Sequence, residues 1–163
     1  EHAIIVDESI TTGRSFFPDS HAAPPHSWLQ ITGGAIGDGL PMAVGAAMAC
    51  PDRKVMVLQS DGSAMYTNQA LWTMARENLD ITILLFSNRA YRILEGEMKG
   101  VGVDKPGHVA DALFSLREPD IDWVGMAASM GVPGARVDDA GDLVSAINEG
   151  LAVEGPFLIE IVF

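Results

Sequence analysis

A chain of 163 residues, 48% hydrophobic and 20% charged, is long enough for one domain with a buried core and too apolar to stay disordered. Its formal net charge of −12 excludes nucleic acid and anionic membrane surfaces as partners, and any phosphate ligand would have to be held by backbone amides, helix ends or a metal. The most apolar stretch, 40–50, is too short and too rich in Ala and Gly to cross a bilayer, and the single Cys50 can form no internal disulfide, so a reducing cytoplasm is the expected compartment.

Glu1-His2-Ala3 reads neither as a signal peptide nor as a natural start, which suggests a fragment or a processed product. A first strand is expected at 3–6. His21 and His26 flank Pro24-Pro25 and read as solvated loop histidines, as does His108 further on. Then comes Gly33-Gly34-Ala35-Ile36-Gly37-Asp38-Gly39-Leu40-Pro41, a loop whose glycines let backbone face a ligand and whose Pro41 suits a first helical turn. It is not a dinucleotide loop: Met42 stands where a third small residue is required, and no clear strand is expected before it. No Walker Gly-Lys-Ser/Thr occurs. A helix over 40–50, apolar all round, should be buried, with Cys50 as core material.

A strand at 54–59 runs into Ser60-Asp61-Gly62-Ser63. A helix over 67–79 carries Leu71, Met74, Ala75 and Leu79 on one stripe. The next strand, 81–86, runs into Ser87-Asn88-Arg89-Ala90-Tyr91. The stretch 100–119 is punctuated by Gly and Pro and reads as a long connection, a lid or an interface arm. A helix over 122–130 packs Trp123, Met126, Ala127 and Met130 and stops at Gly131. A weaker strand near 135–137, a helix over 142–151 and a last strand at 157–162 complete the chain. Met65, Met74, Met126 and Met130 read as core. Strands alternating with helices imply βαβ units. The expected architecture is one domain, 1–163, folded as a three-layer α/β/α sandwich with a mainly parallel sheet and its ligands at the carboxyl ends of the strands.

Asp61 and Asn88 end successive strands of one such unit, so a parallel pairing brings them to the same sheet edge. One carboxylate, one side-chain amide oxygen and a backbone oxygen from the turn after Asn88, completed by phosphate oxygens and water, make a shell suited to Mg²⁺.

These segments, 33–47, 60–75 and 88–94, together resemble the C-terminal cofactor domain of the thiamine-diphosphate enzymes, among them acetolactate synthase, benzoylformate decarboxylase and pyruvate decarboxylase. The similarity runs from Val6-Asp7-Glu8-Ser9 to Pro156-Phe157-Leu158-Ile159-Glu160. Residues 88–94 resemble acetolactate synthase large subunits; 63–66 and 70–73 also resemble benzoylformate decarboxylase. The resemblance implies that Asp61 and Asn88 ligate Mg²⁺ by their side chains and Ala90 by its carbonyl. It implies that Gly62 and Ser63 give amides to the diphosphate of thiamine diphosphate, and that Ser9-Ile10-Thr11-Thr12 closes over it. The Gly34 carbonyl would accept from the cofactor's 4′-amine, Ile36 would wedge between its two rings, and Tyr91 would also line the cofactor site. Ser60 replaces the family's usual Gly, and Leu94 stands where pyruvate decarboxylases carry a Glu, which counts against that reaction.

The activating Glu of this family lies on a separate pyrimidine-binding domain, for which 163 residues leave no room. Nothing around Glu8, Glu77, Glu95 or Glu97 suggests that role, so no catalytic residue is assigned within this chain. The expected function is the thiamine-diphosphate and Mg²⁺ binding domain of an enzyme that decarboxylates a 2-keto acid and carboligates the product, as acetolactate synthase does. The alternatives are a benzoylformate-type decarboxylase domain or a non-catalytic cofactor-domain subunit that needs a partner. The expected partners are a 2-keto acid, a pyrimidine-binding domain from the parent chain or a partner subunit, and further copies of the chain in a homo-oligomer. Without the pyrimidine-binding domain, the face that normally meets it would be an exposed apolar patch near the 33–40 loop.

Overall fold

Runs of Val, Ile and Leu with no polar alternation demand cover on both faces of a sheet, and the computed structural model, which describes residues 1–105 and 107–163, supplies it. In chain order the elements are β1 (Ile4–Glu8), α1 (Phe16–Asp19), β2 (Ser27–Gln30), α2 (Gly39–Ala49), β3 (Val55–Ser60), α3 (Asp61–Thr67), α4 (Ala70–Arg76), β4 (Ile81–Ser87), α5 (Arg92–Gly100), α6 (His108–Phe114), α7 (Trp123–Ser129), β5 (Gly134–Val137), α8 (Ala140–Ala152) and β6 (Phe157–Val162). The strands form one 6-stranded sheet in the order β2-β1-β3-β4-β6-β5, every pairing parallel.

Two cores sandwich this sheet. On one face Val57, Ile83, Leu85 and Leu158 pack under Leu40 and Ala43 of α2, Leu71 and Met74 of α4, and Trp123 and Ala127 of α7. On the other, Leu84, Phe86, Phe157 and Ile159 pack under Phe16 of α1 and Ala146 of α8. The three-layer α/β/α expectation therefore holds. From β1 the chain steps outward to β2, then crosses to β3 on the other side, so the strand order reverses between β1 and β3. Open parallel sheets bind their ligands outside the carboxyl ends of the strands at such a reversal.

Several sequence expectations need correction. A strand does precede the glycine loop: β2 is four residues long, sits at the sheet edge and is only half-covered, so it shows neither alternation nor an apolar run. The loop still fails as a dinucleotide loop because of Met42. The helix expected over 67–79 is α4, Ala70–Arg76, while Thr67 ends a separate helix, α3, that begins at Asp61 itself, so Asp61-Gly62 opens a helix. Leu71 and Met74 are buried as the stripe requires, while Asn78, at φ 47, ends the run before Leu79. Helix α2 is buried on one side only: Met48 is 59% exposed and Cys50 is half-buried. Met65, expected in the core, is exposed. The supposed connection at 100–119 contains α6 and follows a further helix, α5. Neither has a buried residue among those described. Pro106, within that stretch, lies outside the described residues.

Candidate functional site

Strands β3 and β4 pair in register, with Ser60 opposite Phe86, so the residues that follow both strands emerge side by side. The Asp61 carboxylate bridges the two strand ends. Its Oδ1 accepts from its neighbour, the Gly62 N–H, at 2.8 Å, and its Oδ2 accepts from the Arg89 N–H at 2.6 Å. Asn88 turns its Oδ1 onto the Ala90 N–H at 2.9 Å, shaping the turn in which Arg89 takes a positive φ of 57. That turn is pinned from outside: the Tyr91 N–H donates to the Phe114 carbonyl, the Leu116 N–H to the Arg89 carbonyl, and the Arg89 guanidinium lies 2.8 Å from Asp120.

Asp61 and Asn88 are both buried. Burial raises the Asp61 carboxyl above its ordinary value, against the lowering effect of the Arg89 and Gly62 amides and the Arg89 charge. A carboxylate desolvated in this way, beside a carboxamide oxygen and facing a cavity, suits a bound cation, which would restore its ionised form. Among the described residues no cluster of three or more His, Cys, Asp and Glu occurs, so a cation here would rest on one carboxylate and neutral oxygens.

The cavity, of about 130 Å³, is lined by Thr11, Ile36, Asp61, Gly62, Ser63, Asn88, Ala90 and Tyr91, and also by Ile10, Ser60, Tyr66, Arg92, Ile93 and Leu94. Thr12 instead lines a separate hollow with Phe86 and Val137, and Gly34 is exposed off the cavity wall at φ 72. Gly62 is needed for close approach, since a Cβ there would stand 2.8 Å from the Tyr91 ring. Burial raises the Tyr91 phenol, with the neighbouring Tyr66 and Asp61 adding to it. Ser60 and Ser63 join hydroxyls at 2.7 Å where α3 begins.

Leu94 reaches the cavity while Glu95 turns away, 3.7 Å from Arg92, as one residue's rotation on a helix requires. His26 lies away from the cavity, its Nδ1 2.8 Å from the Pro24 carbonyl and its ring against Trp28; His21 packs against Phe17. The sequence reading missed Tyr66, Arg92 and Ile93 as wall residues. Their only signal was position, one helical turn beyond Gly62 and immediately after Tyr91.

Residues 15–161 match the family described as thiamine pyrophosphate enzyme, C-terminal TPP binding domain. A Mycobacterium tuberculosis protein provisionally named acetolactate synthase large subunit IlvX is 48% identical over 163 residues, which is 99% of this chain and 32% of that protein. Benzoylformate decarboxylase of Pseudomonas aeruginosa is 32% identical over 160 residues, 98% of this chain and 29% of that one. The solved structure of a thiamine diphosphate-dependent 4-hydroxybenzoylformate decarboxylase from Rhodococcus jostii superposes with a TM-score of 0.83 at 34% identity, covering 98% of this chain and 29% of that one. The chain thus spans about a third of the length of these relatives.

Proposed function

This chain belongs to the thiamine pyrophosphate enzymes, as their C-terminal TPP binding domain, and from that premise we propose that it holds the cofactor's diphosphate through Mg²⁺. The Asp61 carboxylate, the Asn88 side-chain oxygen and the Ala90 carbonyl are the metal's protein ligands. The observation that carries this reading is the 2.6 Å hydrogen bond from the Arg89 N–H to Asp61, which draws the two ligand-bearing strand ends to one point. Ser63 offers its amide to the diphosphate at the start of α3, where the Gly62 amide already serves Asp61, and Thr11 closes over it from beyond the end of β1. The Gly34 carbonyl orients the 4′-amine, Ile36 shapes the bend between the rings, and Tyr91 covers the site from the turn before α5. When bound, the cofactor supplies an electron sink for the carbanion left by decarboxylation. The chain's own part is to bind, orient and exclude water.

The whole enzyme, on this reading, decarboxylates a 2-keto acid and ligates the product to a second carbonyl, as acetolactate synthase does; the 48% identical relative supports it. A benzoylformate-type decarboxylation is the second reading, supported by the Rhodococcus structure. The partner is a pyrimidine-binding domain, which supplies the acid that this chain lacks. Ile36 and Tyr66, exposed at the cavity, and Met48, Met65 and Trp72, exposed on α2, α3 and α4, are suited to its docking and to a homo-oligomer. No helix among the described residues is long and apolar enough to cross a membrane, and we assign the enzyme to the cytoplasm.

Titration calorimetry with thiamine diphosphate and Mg²⁺ tests the site. Asp61→Ala removes the one charged ligand and should abolish Mg²⁺-dependent binding, and Asn88→Ala should weaken it by about tenfold, the loss of one good ligand contact. Unchanged affinity in Asp61→Ala would sink the metal assignment. Turnover of pyruvate against benzoylformate by the enzyme carrying this domain separates the two substrate readings.

A further inference from the structure

Glu8, at the end of β1, is 1% exposed, yet it faces no cation and lines none of the cavity. Its carboxylate is turned under the glycine loop. Oε1 accepts from the Gly37 N–H at 2.5 Å, and Oε2 accepts from the Gly39 N–H at 2.9 Å and from Gln59 Nε2 at 2.8 Å. Gln59, wholly buried, is Glu8's register partner on β3. From the opposite side the Thr67 hydroxyl donates to the Gly37 carbonyl at 2.7 Å. The peptide groups on both sides of Gly37 are thus held, one by a strand end and one by the end of α3. The glycines are required for this packing: a Cβ on Gly39 would stand 2.7 Å from Glu8 Oε2, and Gly37 takes a φ of 95. The two carboxyl oxygens meet two converging backbone donors, which a carboxamide, with one oxygen, could not both accept.

We propose that Glu8 is a positioning residue for thiamine diphosphate: by clamping the Gly37 and Gly39 amides it fixes the loop that presents Gly34 and Ile36 to the organic part of the cofactor, before any ligand arrives. The proposal rests on the function argued above and extends it to a residue outside the cavity. It separates two halves of one site. The diphosphate half, at Asp61 and Asn88, stands on β3 and β4, and neither of these residues hydrogen-bonds to Glu8. The half that meets the rings depends on it. Preorganisation of this kind contributes affinity by removing the ordering that binding would otherwise require.

The test follows the full chain by ¹⁵N NMR while it is titrated with Mg²⁺-thiamine diphosphate and, separately, with Mg²⁺-pyrophosphate. Glu8→Gln keeps the shape but must turn an NH₂ toward at least one donor. It should lose about tenfold in affinity for thiamine diphosphate, as for a buried amide left without its acceptor, and should bind pyrophosphate within about twofold of the parent. The Gly37 or Gly39 amide resonance should move upfield and exchange faster with solvent. Glu8→Asp keeps the charge, shortens the reach by one methylene and should show the same selective loss if Glu8→Gln does not fold. Equal losses for both ligands, no loss for either, or failure of both variants to fold would overturn the proposal. Unmoved Gly37 and Gly39 amides in Glu8→Gln overturn the clamp even if the site reading stands. Failure of the parent chain to bind either ligand overturns the site reading itself.

Discussion

Glu8 and Glu160 stand in one row across the sheet. Glu8 on β1 pairs with Gln59 on β3, Gln59 with Leu85 on β4, Leu85 with Glu160 on β6, and Glu160 with Arg136 on β5. Both glutamates are 1% exposed, and their surroundings are opposite. Glu8 meets three donors, two of them backbone amides of the glycine loop. Neither oxygen of Glu160 finds hydrogen-bond geometry with a donor among the described residues. Burial raises the Glu160 carboxyl above its ordinary value, and the nearby Ser87 hydroxyl and the Arg136 and Arg89 charges offset this only in part. A buried carboxylate is therefore not one kind of object. With converging donors it becomes a structural joint beside the site; without them it is a local cost that the fold lowers by keeping the proton.

The largest break in this comparison is Glu8→Ala. Three buried donors lose their acceptor at about 1 kcal/mol or more each, so the stability loss should reach at least about 3 kcal/mol. Urea denaturation measures it, and a loss below about 1 kcal/mol would mean that the donors find water or new partners.

Gly39→Ala attacks the same joint from the loop side. Its Cβ would lie 2.5 Å from Gln59 Oε1 and 2.8 Å from Glu8 Cβ, both buried and unable to withdraw freely. Overpacking of this kind costs about 1–3 kcal/mol, and the same denaturation series reads it. The effects of Gly39→Ala and Glu8→Ala should be strongly non-additive, because they disturb one contact.

Glu160 gives the smallest effect, with the opposite sign. Its folded-state pKa is raised, so the native chain holds a proton that the unfolded chain has released. Stability from this group therefore falls as pH rises from the ordinary carboxylate range through the raised value. Glu160→Gln should flatten that slope and leave the protein more stable at neutral pH. Thermal unfolding of parent and variant across that range checks it; a parent slope of the opposite sign would refute the assignment.

The chain's repeating order of apolar strand and helix was legible in its residues, and so was the site's inorganic end. Asp61 and Asn88 could be placed because each follows directly on a strand with a continuous apolar run, and parallel pairing of those strands leaves little choice of where they meet. Strand β2 was not legible, since Ser27–Gln30 is half-covered at an edge. The stripe of Leu71, Met74, Ala75 and Leu79 belongs to α4 and the residues after it, while α3 reaches the same core through Ala64, before the break at Asn68-Gln69.

The sequence by itself determined the α/β class, the parallel sheet and the pairing of Asp61 with Asn88, because these follow from side-chain periodicity and from chain segments close to one another along the backbone. Only the tertiary structure decided the role of Glu8. Its amide partners lie 29 and 31 residues away and its carboxamide partner 51, and none of them repeats with a period. The same holds for α2, apolar on every side: which side meets the sheet and which stays exposed depends on what the rest of the chain packs against it. A hydrogen bond or a contact between distant residues leaves no local pattern, since it is made by the fold that brings the residues together and not by either segment alone.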